Sequence, residues 1–309
     1  MTEHKTPGVS TPRPSVPYVK LRELLRQRRG DEGRSSDPEV LRQRLEAVAL
    51  PVEEDVEVAE LDLGGVQVER VAWGDVHPTG GVLYLHGGGF CLGSPRTHRK
   101  LAADISRAVG LPCFVVDYRL APEHPLPAAV DDAVAAYAEL LHSSPAASVM
   151  VMGDSAGASL AALALVEARA RGLAMPAGAV LLTPWVDYAC SDPCYSELAD
   201  ADPVADVEQL ASYQRWFLDG LEPTDPAVCP ATADLTGLPP LLIHAGGGDV
   251  TRNDAAWLAL TARRAGVDVT HREAPHMMHV WHVFAGRVPE SSLAVREVGD
   301  FARSRLDLT

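Results

Sequence analysis

Short, fully apolar segments alternate with amphipathic segments of helical period over most of the chain. The apolar segments are residues 82–85, 113–116, 149–152, 179–182 and 241–243. The helical patterns between them cover residues 102–109, 128–141, 159–171 and 255–264. Short strands without a polar face are typical of a mostly parallel sheet with helices on both faces. The pattern therefore predicts an α/β fold whose functional site lies beyond the carboxyl ends of the strands.

The first part of the chain follows a different pattern. Residues 1–17 carry four prolines, which predicts an irregular lead-in. Apolar residues then recur at helical spacing around 21–29 and 40–49, and Asp37-Pro38 is typical of an N-cap and first-turn pair. Strand-like alternation follows from Val52 to Val71. Because Gly64-Gly65 interrupts it, this stretch predicts an antiparallel hairpin.

A second departure from the alternation lies at residues 190–220. This segment is acidic and then aromatic through Tyr213, Trp216 and Phe217, and we interpret it as an inserted, helix-rich element. The chain thus divides into N-terminal helices (1–50), the first part of an α/β core (51–189), the insertion (190–220) and the second part of the core (221–309). A length of 309 residues suffices for one large core with a small appended element.

Composition narrows the classes of function. The formal net charge of −15 would repel a phosphate backbone, and no Lys/Arg cluster is dense enough to offset it, so nucleic acid is not an expected partner. The five cysteines lack CxxC spacing, which predicts neither a disulfide framework nor a zinc site and fits a reducing compartment. Neither a signal peptide nor a membrane-spanning run is present, so we expect a cytoplasmic protein that does not bind a membrane.

The strongest chemical signal is Gly153-Asp154-Ser155-Ala156-Gly157, which follows the apolar segment 149–152 and opens a helix. A G-x-S-x-G turn holds serine in a strained conformation at the edge of the sheet with its hydroxyl exposed. The alternative is a glycine-rich strand-to-helix turn without chemistry. The strand before the motif and the helix after it favour Ser155 as a nucleophile.

A second glycine-rich motif, His86-Gly87-Gly88-Gly89, follows the apolar segment 82–85. Consecutive glycines leave backbone N–H groups uncovered, so these groups can bind the oxyanion that forms when an ester carbonyl becomes tetrahedral. The predicted donors are the N–H groups of Gly88, Gly89 and Ala156. For His86 we expect a structural hydrogen-bonding role, because in this type of fold the catalytic base follows the nucleophile in sequence.

These motifs, together with residues 117–123 (DYRLAPE) and Pro184-Trp185-Val186-Asp187, resemble those of the hormone-sensitive-lipase-like family of carboxylesterases. The resemblance covers roughly residues 50–300. It implies an α/β-hydrolase fold, a Ser–Asp–His triad, no metal or organic cofactor, and a cap built from the N-terminal helices plus the insertion. The segment 117–123 is similar to a family motif that braces the site, so its expected role is structural.

The triad acid is expected at the end of the strand at 241–243. Asp249 lies in the glycine-rich loop that follows this strand, and Asp254 is the alternative. The family often has Asp-Pro-Leu-Arg-Asp here. The sequence Asp249-Val250-Thr251-Arg252-Asn253 keeps the first Asp and the Arg of that motif, which favours Asp249 over Asp254.

Four histidines in the C-terminal segment compete for the role of base. His279 is followed by Val280-Trp281, similar to the family pattern, and is the predicted base. His276 and His282 are expected to be surface or cap contacts. The residues expected to contact the substrate are Phe90, Trp185 and Trp281.

The predicted function is hydrolysis of small-molecule esters with short to medium acyl chains through an acyl-enzyme on Ser155. One alternative is an acyltransferase, amidase or lactonase that uses the same triad. Another is a non-catalytic ligand-binding protein of the same fold, and the presence of His279 argues against it. For the oligomeric state, a homodimer is one option.

Overall fold

The computed structural model describes residues 13–307, and the first part of the expected irregular lead-in, residues 1–12, lies outside the described residues. Two helices come first, α1 (Val16–Glu32) and α2 (Pro38–Glu46). The strands are β1 (Val56–Leu63), β2 (Val66–Trp73), β3 (Gly81–Leu85), β4 (Cys113–Val116), β5 (Val149–Asp154), β6 (Gly178–Leu182), β7 (Leu241–Gly246) and β8 (Val269–Ala274). The remaining α-helices are α3 (Pro95–Val109), α4 (Ala128–Ser143), α5 (Ala156–Ala170), α6 (Pro193–Glu197), α7 (Val207–Leu218), α8 (Arg252–Arg264) and α9 (Pro289–Arg305).

All eight strands form one sheet in the order β1-β2-β4-β3-β5-β6-β7-β8. The pairs β1–β2 and β2–β4 are antiparallel, and every later pair is parallel. Strands β3, β4, β5 and β6 are buried along their whole length, which explains why they have no polar face. The predicted α/β fold with a mostly parallel sheet is confirmed.

Helices cover both faces of the sheet. One buried cluster contains residues of α4, α5 and α8, and a second contains residues of α3 and α9 on the opposite face. The predicted hairpin is present as β1 and β2, and its turn uses Gly64 and Gly65, both at positive φ. Among residues 13–307, no helix is both long and apolar enough to cross a membrane.

Two helix boundaries differ from the sequence pattern, and one helix is absent from it. Helix α3 begins at Pro95, seven residues before the apolar stretch at 102–109, because Ser94 and Thr97 form a capping box at its N-terminus. Helix α9 was not predicted, although it packs Val295 and Val298 into the core beneath α3. The first helix starts at Val16, inside the segment expected to be irregular, since Ser15 accepts a hydrogen bond from the N–H of Tyr18 and Pro17 occupies the first turn.

Candidate active site

Ser155 lies in the sharp turn between β5 and α5. Its backbone has φ 54° and ψ −125°, a conformation that costs energy for a residue with a side chain, and the surrounding structure holds it there. A hydrogen bond from the Ser155 N–H to the carbonyl of Leu182 ties the turn to β6. Gly157 is required for this geometry, because a Cβ at this position would lie 2.1 Å from the carbonyl oxygen of Leu85.

Three side chains from separate loops meet at the carboxyl edge of the sheet. The Oγ atom of Ser155 lies 2.8 Å from Nε2 of His279. On the other side of the ring, Nδ1 of His279 lies 3.0 Å and 3.1 Å from the two carboxylate oxygens of Asp249. Asp249 is fully buried, and Thr251 donates both its N–H and its hydroxyl to Asp249 Oδ1. This is the arrangement of a nucleophile, a base and an acid that orients the base.

The loops that carry Asp249 and His279 pack closely against each other. The N–H of Gly248 donates to the carbonyl of Met277 over 2.9 Å. A Cβ at Gly246 would lie 2.3 Å from the same carbonyl oxygen, so only glycine permits this approach. The run of three glycines before Asp249 thus brings the two loops within hydrogen-bonding distance.

The electrostatic environment of His279 favours its protonated form. Burial by itself would lower the pKa of the imidazole. The charge of Asp249, the hydrogen bond from His279 to Asp249 and the charge of Asp202 together raise the pKa of His279 to about 9. The site is therefore built to stabilise an imidazolium next to Ser155.

The second glycine-rich loop lies beside Ser155. Gly88 and Gly89 line the same cavity as Ser155, and their N–H groups donate no hydrogen bond to any residue between 13 and 307. Asp154 fixes the start of this loop, because its Oδ1 accepts hydrogen bonds from the N–H of Gly87 at 3.1 Å and from the hydroxyl of Tyr84 at 2.7 Å.

His86 has structural contacts only. Its ring is fully buried between the rings of Tyr118 and His98, and its Nδ1 lies 2.9 Å from the carbonyl oxygen of Gly87. Burial, followed by the charge of His98, lowers the pKa of His86 to about 3. The neutral ring holds the glycine-rich loop in place and lies too deep to exchange protons with a substrate.

The structure does not bring the alternative acid to His279. Asp254 lies on α8, where its Oδ2 accepts hydrogen bonds from the N–H groups of Val186 and Asp187 and from the hydroxyl of Tyr195. Burial raises the pKa of Asp254 to about 7. Asp254 therefore anchors the loop after β6.

Two further histidines, His276 and His282, were expected to be surface or cap contacts, but His282 lies in the core. His276 is exposed, as expected, but His282 is fully buried and needs correction. Its Nε2 lies 3.0 Å from Nδ1 of His244, and its ring packs against Trp281 at a centroid distance of 3.9 Å. His282 is a core residue because the 3₁₀ turn at Trp281–Phe284 points its ring inward.

The three aromatic residues expected to contact substrate also lie in the core. Phe90, Trp185 and Trp281 are at most 1% exposed, and none of them lines the cavity above Ser155. Phe90 and Trp185 pack with Tyr188 and Phe217 in a cluster of edge-to-face and tilted rings. Their large apolar area favours burial in this cluster over exposure to the cavity.

The cavity above Ser155 has a volume of about 1190 Å³. Its walls come from α1, α2, the segment 199–213 and residues after β3 and β8, so the N-terminal helices and part of the insertion line the same cavity as Ser155. The apolar side chains that line it include Leu21, Leu25, Leu45, Leu92, Leu210 and Val283.

Two residues near the site escaped the sequence analysis. Thr251 orients Asp249, and Asp202, which is fully buried, accepts a hydrogen bond from the N–H of His279. Within residues 13–307, Asp202, Asp249 and His279 form the only cluster whose ligand atoms are close enough to hold a metal ion, within 4.8 Å of one another. Hydrogen bonds with Ser155 and the surrounding backbone already engage these atoms, so the arrangement fits proton transfer better than metal binding.

Comparisons with known proteins agree with this fold. Residues 82–283 match the family model described as alpha/beta hydrolase fold. The chain is 43% identical over 224 residues to an acetyl-hydrolase from Streptomyces hygroscopicus, covering 72% of this chain and 75% of that protein. It is 38% identical over 226 residues to the carboxylesterase NlhH of Mycobacterium tuberculosis, covering 69% and 70% of the two chains.

Solved structures of similar proteins have the same fold as this chain. The crystal structure of an esterase from the bacterial hormone-sensitive lipase family superposes with a TM-score of 0.91 at 35% identity, covering 96% of this chain and all of that one. The esterase EstE5 soaked with ethyl alcohol gives a TM-score of 0.92 at 38% identity, covering 94% and 99% of the two chains. The chain therefore belongs to the α/β-hydrolase family, in its hormone-sensitive-lipase-like group of carboxylesterases. The family and the enzyme class expected from the sequence are confirmed.

Proposed function

We propose that this protein hydrolyses small carboxylic esters with short to medium acyl chains, with Ser155 as nucleophile, His279 as general base and Asp249 as the acid that orients the base. The observation that carries the proposal is the continuous contact from Ser155 Oγ to His279 Nε2 and from His279 Nδ1 to Asp249. A ligand-binding protein of the same fold would have no need of this chain of contacts.

The first half of the reaction forms the acyl-enzyme. His279 Nε2 takes the proton of Ser155 as Oγ attacks the ester carbonyl carbon, and the carbonyl oxygen becomes an oxyanion. The N–H groups of Gly88, Gly89 and Ala156 stabilise this oxyanion. The imidazolium, paired with Asp249, then gives its proton to the leaving alkoxide oxygen as the bond from the acyl carbon to that oxygen breaks.

The second half of the reaction releases the acid. Water enters the site, gives a proton to His279 and attacks the acyl carbon through the same oxyanion geometry. The bond to Ser155 Oγ then breaks, and His279 returns its proton to the serine. No group other than the triad, the loop N–H groups and water takes part in this mechanism.

The cavity supports the size of the proposed substrate. Its volume of about 1190 Å³ and its leucine-rich walls can hold an acyl chain of moderate length together with a small alcohol portion. Each buried CH₂ group contributes about 0.8 kcal/mol while there is room, so activity increases with chain length until the chain meets the wall. The name acetyl-hydrolase of one relative agrees with short acyl groups.

A substrate panel tests the proposal. We would measure kcat/KM for p-nitrophenyl esters from acetate to palmitate, for matched amides and lactones, and for ester cleavage with added alcohol. The expected result is an optimum at short or medium acyl chains with water as the acceptor. A stronger activity on amides or lactones, or transfer of the acyl group to the alcohol, would instead identify one of the alternative reactions of the same triad.

A further inference from the structure

The loop that carries the catalytic base has an unusual backbone. His276 and Val280, which flank His279, have φ values of 65° and 45°. Positive φ is uncommon for residues with a side chain and rare for a β-branched residue such as Val280. Such a conformation persists only where the surroundings hold it. The contacts that hold residues 276–280, called the base loop below, therefore matter for the position of His279.

Tyr18 on α1 binds the base loop at two points. Its hydroxyl donates to the carbonyl of His276 over 2.7 Å and accepts a hydrogen bond from the N–H of Met278 over 2.8 Å. Tyr18 is fully buried, and its ring packs with the base-loop residues Met277 and Met278. The start of α1 is fixed in turn, because the backbone N–H and the hydroxyl of Ser15 both donate to the carboxylate of Glu290.

Asp202 binds the next residue of the base loop. Its Oδ2 accepts hydrogen bonds from the N–H of His279 at 3.2 Å and from the N–H of Val250, next to Asp249, at 3.3 Å. Its Oδ1 accepts from the N–H groups of Val204 and Ala205 within the insertion. One fully buried carboxylate thus joins the insertion to the loops that carry the catalytic base and acid.

Helix α1, which carries Tyr18, and the insertion, which carries Asp202, also contact each other. Nη1 of Arg29 on α1 donates to the backbone carbonyl of Asp202 over 2.9 Å, and Arg29 also pairs with Asp206 at 2.8 Å. Two consecutive N–H groups of the base loop, those of Met278 and His279, are therefore bound by side chains from two elements outside the α/β core, and Arg29 joins these two elements.

We propose that Tyr18 and Asp202 are positioning residues for the catalytic base, so that the N-terminal helix and the insertion set the geometry of His279 as well as walling the cavity. This inference rests on the proposed function, because it takes His279 to be the base. According to this inference, α1 and the insertion affect the rate of the chemical step, and this effect is separate from any effect on which substrates bind.

Asp202 also places a second negative charge beside His279. The titratable groups that interact with this carboxylate are His279 and Asp249 from the catalytic loops and Tyr18 from α1, while Arg29 of α1 binds the backbone carbonyl of Asp202. Burial and the charge of Asp249 raise the pKa of Asp202, and the charge of Asp202 in turn helps to raise the pKa of His279. Asp202 therefore contributes to stabilising the imidazolium as well as to holding the backbone.

Two variants of the full-length protein test the inference. Tyr18→Phe removes both hydrogen bonds to the base loop and keeps the ring, whereas Asp202→Asn removes the charge. For each we expect kcat on a p-nitrophenyl ester to fall by roughly 10- to 100-fold with KM changed less than about threefold, since displacing a catalytic group by about 1 Å can cost this much. For Asp202→Asn, the acidic limb of the pH profile should also move to lower pH.

Matched controls separate positioning from general stability. Tyr137→Phe removes another buried tyrosine hydroxyl, which donates to the carbonyl of Ala174, and Glu69→Gln changes another buried carboxylate, which pairs with Arg99; neither Tyr137 nor Glu69 lines the cavity. Both controls should keep wild-type kcat per folded molecule. Thermal unfolding of every variant measures the folded fraction, and the chemical shift of the His279 Nδ1 proton in NMR spectra reports the geometry of the base without substrate.

The outcomes are distinct. Folded Tyr18→Phe and Asp202→Asn proteins with kcat within twofold of wild type and an unchanged pH profile would overturn the inference, as would a loss confined to KM. If Asp202→Asn does not fold, Tyr18→Phe alone decides. Failure of the proposed function itself would be seen separately, as activity that survives in Ser155→Ala and His279→Ala.

Discussion

Nε2 of His279 lies 2.8 Å from Oγ of Ser155, although 124 residues separate the two in sequence. Both residues follow strands of the same parallel sheet, Ser155 after β5 and His279 after β8, so both loops emerge at the carboxyl edge. In the proposed function, this pairing gives the serine nucleophile a base that is already in contact with its hydroxyl.

Replacing Ser155 by alanine should abolish both ester hydrolysis and labelling by a fluorophosphonate probe without unfolding the protein. Loss of a triad nucleophile can lower kcat by on the order of 10⁶. The measurement is turnover of a p-nitrophenyl ester together with gel detection of the probe, and circular dichroism checks the fold. Turnover that persists undiminished in this variant would remove Ser155 from the mechanism.

Replacing the two candidate acids by asparagine should affect kcat to different extents. Asp249→Asn is expected to lower kcat by up to roughly 10⁴, because the amide no longer holds the correct tautomer of His279. Asp254→Asn should leave kcat within about tenfold and lower the thermal stability, since it disturbs a buried carboxylate that binds two backbone N–H groups and Tyr195. Measuring kcat and the melting temperature of both variants tests this, and the reverse ranking would reassign the acid.

The raised pKa of His279 predicts that the enzyme is most active at alkaline pH. General base catalysis needs the neutral imidazole, and with a pKa of about 9 the neutral fraction falls as the pH decreases. We expect kcat/KM to rise roughly tenfold per pH unit between pH 6 and pH 8 and to level off near pH 9. In Asp249→Asn, which loses the largest interaction raising this pKa, the residual activity should level off at lower pH. A wild-type profile that is flat from pH 6 upward would contradict this prediction.

Filling the cavity should change the preferred chain length. Leu45 on α2 lines the cavity and is only partly buried, so Leu45→Trp can reduce the space above Ser155. The optimum acyl chain should become shorter, because the longer chains that fit the wild-type cavity meet the indole. The matched control is Leu260→Trp, at an exposed position of α8 outside the cavity, which should leave the chain-length profile unchanged. An unchanged profile for Leu45→Trp would show that α2 does not limit the acyl group.

Local patterns in the sequence predicted the parts of the protein that depend on local geometry. The apolar segments located β3 to β7, because strands buried on both faces leave an uninterrupted apolar run. The turns at Gly153–Gly157 and Gly87–Gly89 were recognisable because only glycine permits the close backbone approach that they need. The position of Asp249 after the strand at 241–243, and the resemblance of residues 249–253 and 279–281 to family motifs, then indicated Asp249 and His279.

Only the tertiary structure decided the features that depend on contacts between distant segments. Phe90, Trp185 and Trp281 could have faced either the cavity or the core, and the packing of their rings placed all three in the core. Asp202 and Tyr18 carry no local motif, since one lies in an acidic segment and the other in an ordinary helix. Their contacts with the base loop span 77 and 258 or more residues, and such contacts form only when the N-terminal helix and the insertion close over the completed sheet. The sequence by itself therefore determined the fold and indicated the proposed reacting groups, whereas long-range packing determined how those groups are held.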